Sequence, residues 1–248
     1  MKVINQTTED VALAGSTLII PAVSIGNVGQ LAVDLMIETS QALKVGRFVD
    51  ENILPCAGIG SYSHVPGLAF SMELFSLPGN SDAFLLQQRA PVAPGLQQAF
   101  ADALVSWAHS AGVAKIVILG SLDGSFRRDD QLQGSQLRYW VAGNDEELVK
   151  SCNVTAGLSC LEEEWFADKP LKERLTPPWP FIKACETAGV PCAAILAFVL
   201  EGENIPDAVS VANAAVKVVP ALGEAARAGW KQPPSWNYAF GNARPLGM

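Results

Sequence analysis

The sequence predicts an α/β fold: a three-layer α/β/α sandwich with a mainly parallel sheet. Three observations carry that expectation. The runs Leu18-Ile19-Ile20, Ile116-Val117-Ile118-Leu119 and 192–200 are continuously apolar and of strand length, the mark of strands buried on both faces. Stretches of helical spacing at 26–39, 94–111 and 206–219 alternate with them. A chain of 248 residues that is 49% apolar can bury one large core, so 1–248 is expected as a single domain with a less regular tail over 229–248.

Each element has its own reason. Residues 16–23 form a strand that enters a helix over 26–39 through a glycine turn. The polar positions of that helix, Asn27, Gln30, Asp34 and Glu38, fall on one narrow stripe, and the rest is apolar. Such a helix needs cover on nearly all sides, either from a central position in the chain or from a partner. Strands are expected at 44–49 and 53–59, then at 70–77 and 83–89, joined by the turn-rich loop 78–82 that suits a hairpin. Leu96, Phe100, Leu104, Trp107 and Ala111 mark the helix over 94–111, which Gly112 closes. A buried strand follows at 115–119 and an edge strand at 137–141. Residues 145–180 carry the least pattern, and Pro177-Pro178-Trp179-Pro180 reads as an irregular loop. A short helix over 181–188, a strand over 192–200 and a helix over 206–219 begun by Pro206 and Asp207 complete the order, with Pro220 ending the last.

Composition narrows the function. A net charge of −8 disfavours nucleic acid and anionic membranes while leaving a basic protein partner open. The five cysteines (Cys56, Cys152, Cys160, Cys185 and Cys192) form no Cys-x-x-Cys pair, so reduced, mostly buried thiols in an intracellular protein are expected. No signal peptide and no membrane span are read.

An enzyme is the first candidate. Ser24-Ile-Gly26-Asn-Val-Gly29 is one residue from the dinucleotide fingerprint, and Asp50 stands where a ribose-binding acid would stand. Against it, serine replaces the first glycine and no proton-transfer set follows. The bland alternative is that Gly26 and Gly29 let the helix pack on the strand. His64 lies near Ser61 and Ser63 without a nucleophile elbow or an orienting acid, and His109 reads as an exposed helix residue. Arg127 and Arg128, after the central strand, could hold a phosphate, although pairing with Asp129 and Asp130 is favoured. The acids of 201–207 read as a loop and a helix start, and no cluster has metal spacing.

The blocks 21–35, Leu77-Pro78 with Gln87-Gln88-Arg89, Trp107 with Gly112, Arg128-Asp129 with Gln131-Leu132, Arg138-Tyr139, 198–208, and Trp230, Pro234-Ser235-Trp236 and Phe240-Gly241 stand in one order along almost the whole chain. In this the chain resembles the proteasome assembly chaperones of the PAC2 family. The resemblance implies a fold like that of nucleoside phosphorylases without their active site, and neither cofactor nor catalysis. It implies a heterodimer with proteasome assembly chaperone 1, which templates the α-ring of the 20S proteasome in cytoplasm and nucleus and prevents premature association of α-subunits. A nucleotide or nucleoside enzyme using the Ser24–Gly29 turn is the alternative, and a homodimeric archaeal-type relative is a third.

One departure concerns the C-terminus. Chaperones of this class dock through a tail of the form hydrophobic–tyrosine–any residue. Here Leu246 fits the first position, but Gly247 has neither ring nor hydroxyl before Met248. Such a tail loses ordering entropy for little contact area, so the partner or the folded body would supply the main anchor. The partner-interface candidates are the helix stripe (Asn27, Gln30, Asp34, Glu38) and, from the tail, Trp236, Phe240, Leu246 and Met248. Both segments would equally serve as core.

Overall fold

Leu18, Ile19 and Ile20 are fully buried, and parallel neighbours on both sides explain why a strand without polar alternation is stable there. The computed structural model describes residues 1–5, 12–143, 145–163, 165, 177–227 and 229–238. Its strands are β1 (Lys2–Asn5), β2 (Thr17–Pro21), β3 (Leu43–Val49), β4 (Ala57–Ile59), β5 (Leu68–Phe70), β6 (Met72–Leu77), β7 (Asn80–Gln88), β8 (Lys115–Asp123), β9 (Leu137–Ala142), β10 (Ser159–Cys160) and β11 (Cys192–Val199). β4 and β5 pair as a separate ribbon, and the other nine form one sheet in the order β1-β3-β6-β7-β2-β8-β11-β9-β10. The four central strands, β7, β2, β8 and β11, are parallel. The flanks add antiparallel pairs, among them the β6–β7 hairpin expected around the 78–82 loop.

The helices are α1 (Val28–Ser40), α2 (Gln97–Ser110), α3 (Glu146–Lys150), α4 (Trp179–Ala188), α5 (Ile205–Val218) and α6 (Gly223–Ala226). Alternate residues of the central strands feed opposite cores. Ile19, Leu85, Val117 and Ile195 face α1 and α5. Leu18, Ile20, Leu86, Ile118 and Ala194 face α2 and α4. This is the three-layer arrangement, and it gives α1 the central position that its apolar circumference demanded.

Four expectations change. The strand expected over 53–59 shortens to β4, and that over 70–77 divides at Ser71. The Ser71 hydroxyl accepts from the Cys56 amide at 2.7 Å and lies 3.0 Å from the Leu54 carbonyl oxygen, tying the crossing loop where the chain changes sheets. β9 is not an edge, because two residues of β10 cover it. The Pro177–Pro180 stretch starts α4 instead of forming a loop, since proline in a first turn forfeits no intrahelical bond.

Of the cysteines, Cys152, Cys185 and Cys192 are buried, Cys56 and Cys160 are exposed, and all five are free. Burial pushes the Cys152 thiol up to about 12. A hydrogen bond with Cys185, and then burial, raise Cys192. A maleimide should therefore label Cys56 and Cys160 in the native protein and reach the other three only in denaturant, counted by intact-mass spectrometry.

Candidate functional site

The glycine turn after β2 is the first place to test for a ligand, and the chain itself fills it. Gly26 has φ +64°, and a side chain there would overlap the carboxamide of Asn204. Gly29 faces the Leu119 carbonyl so closely that a Cβ would collide with its oxygen. Pro178 closes over Gly120. Ser24 Oγ, in place of the first fingerprint glycine, accepts from the Ser121 amide at 3.0 Å and binds β2 to β8. The glycines thus serve close packing of helix, strand and loop. Asp50 is equally occupied: it accepts from Asn52 at 2.9 Å and lies 3.4 Å from the chain's amino terminus. β6 and β7 intervene between β3 and β2, so Asp50's strand stands three spacings away, about 14 Å. A cleft of about 460 Å³ opens at the other end of the strands, lined by Thr17, Lys115, Asp82 and Asp145 among others.

The polar stripe of α1 leads to a buried network. Asp34, 4% exposed, accepts through Oδ1 from Tyr62 Oη at 2.6 Å, Gln87 Nε2 at 2.6 Å and Arg89 Nη2 at 2.9 Å. Its Oδ2 accepts from Trp236 Nε1 at 3.3 Å. Arg89 also donates to Tyr62 Oη at 2.8 Å. Burial and then the Asp34 charge push the Tyr62 phenol well above its ordinary value, so it stays a donor. Burial alone would lower the Arg89 guanidinium, but Tyr62 and Asp34 outweigh it and raise it. One turn on, Glu38 accepts from the Ser63 amide at 3.0 Å and from the Ser63 hydroxyl. His64 places Nδ1 3.6 Å from Glu38 and Nε2 2.9 Å from the Ala42 carbonyl oxygen.

The interface candidates therefore divide. Asp34 and Glu38 are buried by the chain's own 60–66 loop and 230–238 segment, and Trp236 is core at 7% exposure. Asn27 is exposed and Gln30 half-buried. Phe240, Leu246 and Met248 lie outside the described residues. Two further bonds hold the tail segment: Lys231 N donates to Thr39 Oγ1 at 2.8 Å, and Trp230 Nε1 to Asn213 at 2.8 Å. Ser63 is spent on Glu38 and His64 on Ala42 and Glu38, so the loop shows no serine–histidine pair. His109 is exposed near the end of α2, as expected.

The PAC2 family profile matches residues 18–227. The chain belongs to the PAC2 family. Proteasome assembly chaperone 2 of Xenopus laevis is 34% identical over 247 residues, covering 93% of each chain. That of Homo sapiens is 31% identical, covering 94% of each. Among solved structures, Pyrococcus furiosus PbaA, an archaeal homolog of proteasome-assembly chaperone, aligns with TM-score 0.65 at 15% identity over 92% of this chain and 93% of its own. PbaB, an archaeal proteasome activator of the same organism, aligns with TM-score 0.66 at 16% identity over 92% and 94%. At those identities the structural likeness speaks for the fold alone.

A second polar cluster in this PAC2 chain revises the arginine loop. Arg127 does not pair with Asp129 or Asp130. Its guanidinium is buried, 2.6 Å from Glu162 Oε1 and 2.9 Å from the Gln131 carbonyl, and stacks 4.2 Å from the Phe198 ring centre. Arg138 reaches the same Glu162 oxygen at 2.8 Å. Arg128 pairs with Asp130 at 3.3 Å at the surface. Sequence reasoning missed Glu162 because it lies in the stretch with least pattern, and missed Asn204 because a loop asparagine looks ordinary. The run Gln87-Gln88-Arg89, polar at the end of a buried strand, was the available signal for the Asp34 network.

Three outcomes follow. Asp34→Ala strands Arg89 and Tyr62 without their acceptor and should cost about 3–5 kcal/mol in urea unfolding. Gly29→Ala should cost about 1–3 kcal/mol, because the Leu119 backbone has to move. For Glu162, burial opposes ionisation, but hydrogen bonds from Arg127 and Arg138 win and hold the carboxyl below its ordinary value. A depressed folded-state value contributes stability above the unfolded value of about 4.3 that fades as pH falls through the folded value. The stability difference between wild type and Glu162→Gln, followed by denaturant melts across pH, should thus be full near neutrality and shrink below about pH 4.3.

Proposed function

We propose that this chain is a non-enzymatic chaperone of 20S proteasome assembly, acting as a heterodimer with a companion, proteasome assembly chaperone 1, and holding α-subunits against off-pathway association in cytoplasm and nucleus. The observation that carries this reading is similarity at 34% identity to a proteasome assembly chaperone 2 across 93% of both chains. The geometry supports it from the other side. The crevice where a related enzyme would seat a nucleotide is taken up by Asn204, Pro178 and the Ser24–Ser121 pair.

Affinity purification of the chain from extract of its own cells, read by mass spectrometry, tests the proposal. A second chaperone with α-subunits and few mature β-subunits is the expected recovery. Recovery of the chain alone would overturn it. In a parallel thermal melt, NAD, ATP and nucleosides should leave the transition in place, whereas a ligand at 100 times its Kd would add about 2.7 kcal/mol.

A further inference from the structure

The loop after β8 has its polarity inverted. Arg127 is buried at 7% exposure, while its neighbour Phe126 is 48% exposed. Leu132 on the same loop is 55% exposed, and Leu200, directly after β11, is 61% exposed. Burying a guanidinium and exposing an aromatic ring is the unfavourable choice for an isolated chain. It is held in place nonetheless, since Arg127 is fixed by Glu162, the Gln131 carbonyl and the Phe198 ring, so the loop cannot roll Phe126 inward without breaking all three. The parallel register sets Val199 beside Asp123, which brings the start of the Phe126 loop and Leu200 to one end of the sheet.

The surroundings of this patch carry negative charge. Asp129, between Phe126 and Leu132 in the chain, and Glu201 and Glu203, directly after Leu200, are all exposed, and Arg128 is matched by Asp130. We infer that Phe126, Leu132 and Leu200 form a docking surface for a basic protein segment that inserts an apolar side chain between flanking lysines or arginines. Only three exposed apolar side chains, interleaved in the chain with charged ones, suit a partner that is later released better than a permanent one, whose interface would be larger and more apolar. Resting on the function proposed above, the occupant assigned is therefore a proteasome α-subunit and not the companion chaperone.

The test compares the wild-type heterodimer with two variants, Phe126→Ser/Leu200→Ser and Glu201→Lys/Glu203→Lys, all at exposed positions and checked by thermal melts. Binding to purified 20S α-subunits is measured at 50 and 300 mM salt, alongside pairing with the companion. The expected result is α-subunit binding about tenfold or more weaker in both variants, wild-type affinity that falls with salt, and unchanged pairing. Variants that bind α-subunits within about twofold of wild type overturn the surface. Loss of companion pairing with α-subunit binding intact overturns the occupant. Sensitivity to the apolar changes without sensitivity to charge or salt overturns the basic chemistry. A wild type that binds no α-subunit sinks the chaperone reading itself, and the surface with it.

Discussion

Among the described residues, the Asp34 carboxylate is the one group at which a loop, the end of β7 and the segment near the C-terminus all meet α1. It sits on α1, inside the molecule, where an unpaired charge would be costly. It is tolerated because a loop supplies Tyr62, the end of β7 supplies Gln87 and Arg89, and the segment near the C-terminus supplies Trp236. Remove any of these and a buried acceptor loses a donor. The arrangement therefore fixes where the chain after β11 must return, across α1 and over the Phe75–Leu85 side of the sheet. Three of the blocks that carry the family resemblance, 21–35, 87–89 and 234–236, meet at this carboxylate.

The layers were legible because apolar runs state them outright. Leu18-Ile19-Ile20 and Ile116 to Leu119 have no polar face to offer solvent, so only a central parallel sheet accommodates them. The stripe on α1 was legible as a stripe but not as an internal site. Periodicity reports that Asp34 and Glu38 share a face, not which segment covers it, and the partners lie 28 and 202 residues away for Tyr62 and Trp236. The same holds for Arg127. Adjacent acids at 129 and 130 made a local pairing plausible, whereas the actual partner, Glu162, comes from 35 residues on. Long-range polar pairing is the part of a fold that a single sequence encodes least openly.

The glycine turn shows how one local pattern serves unrelated ends. A strand, a tight turn and a helix N-terminus make a phosphate site only if the backbone is left open to the ligand. Here Asn204, Pro178 and the Leu119 carbonyl occupy that approach. The doubly wound frame is retained while the approach to its glycine turn is filled by the chain itself. That fits a protein whose relatives are named for assembling another complex.

Hydrogen exchange of the isolated chain tests most directly whether α1 is covered from within. The Lys231 amide bonds to Thr39, and the Ser63 amide bonds to Glu38. If residues 229–238 and the 60–66 loop are part of the free protein's own core, both amides exchange slowly in the absence of any partner. Fast exchange at both, slowed only when the companion chaperone is added, would contradict the internal network and return α1 to the interface.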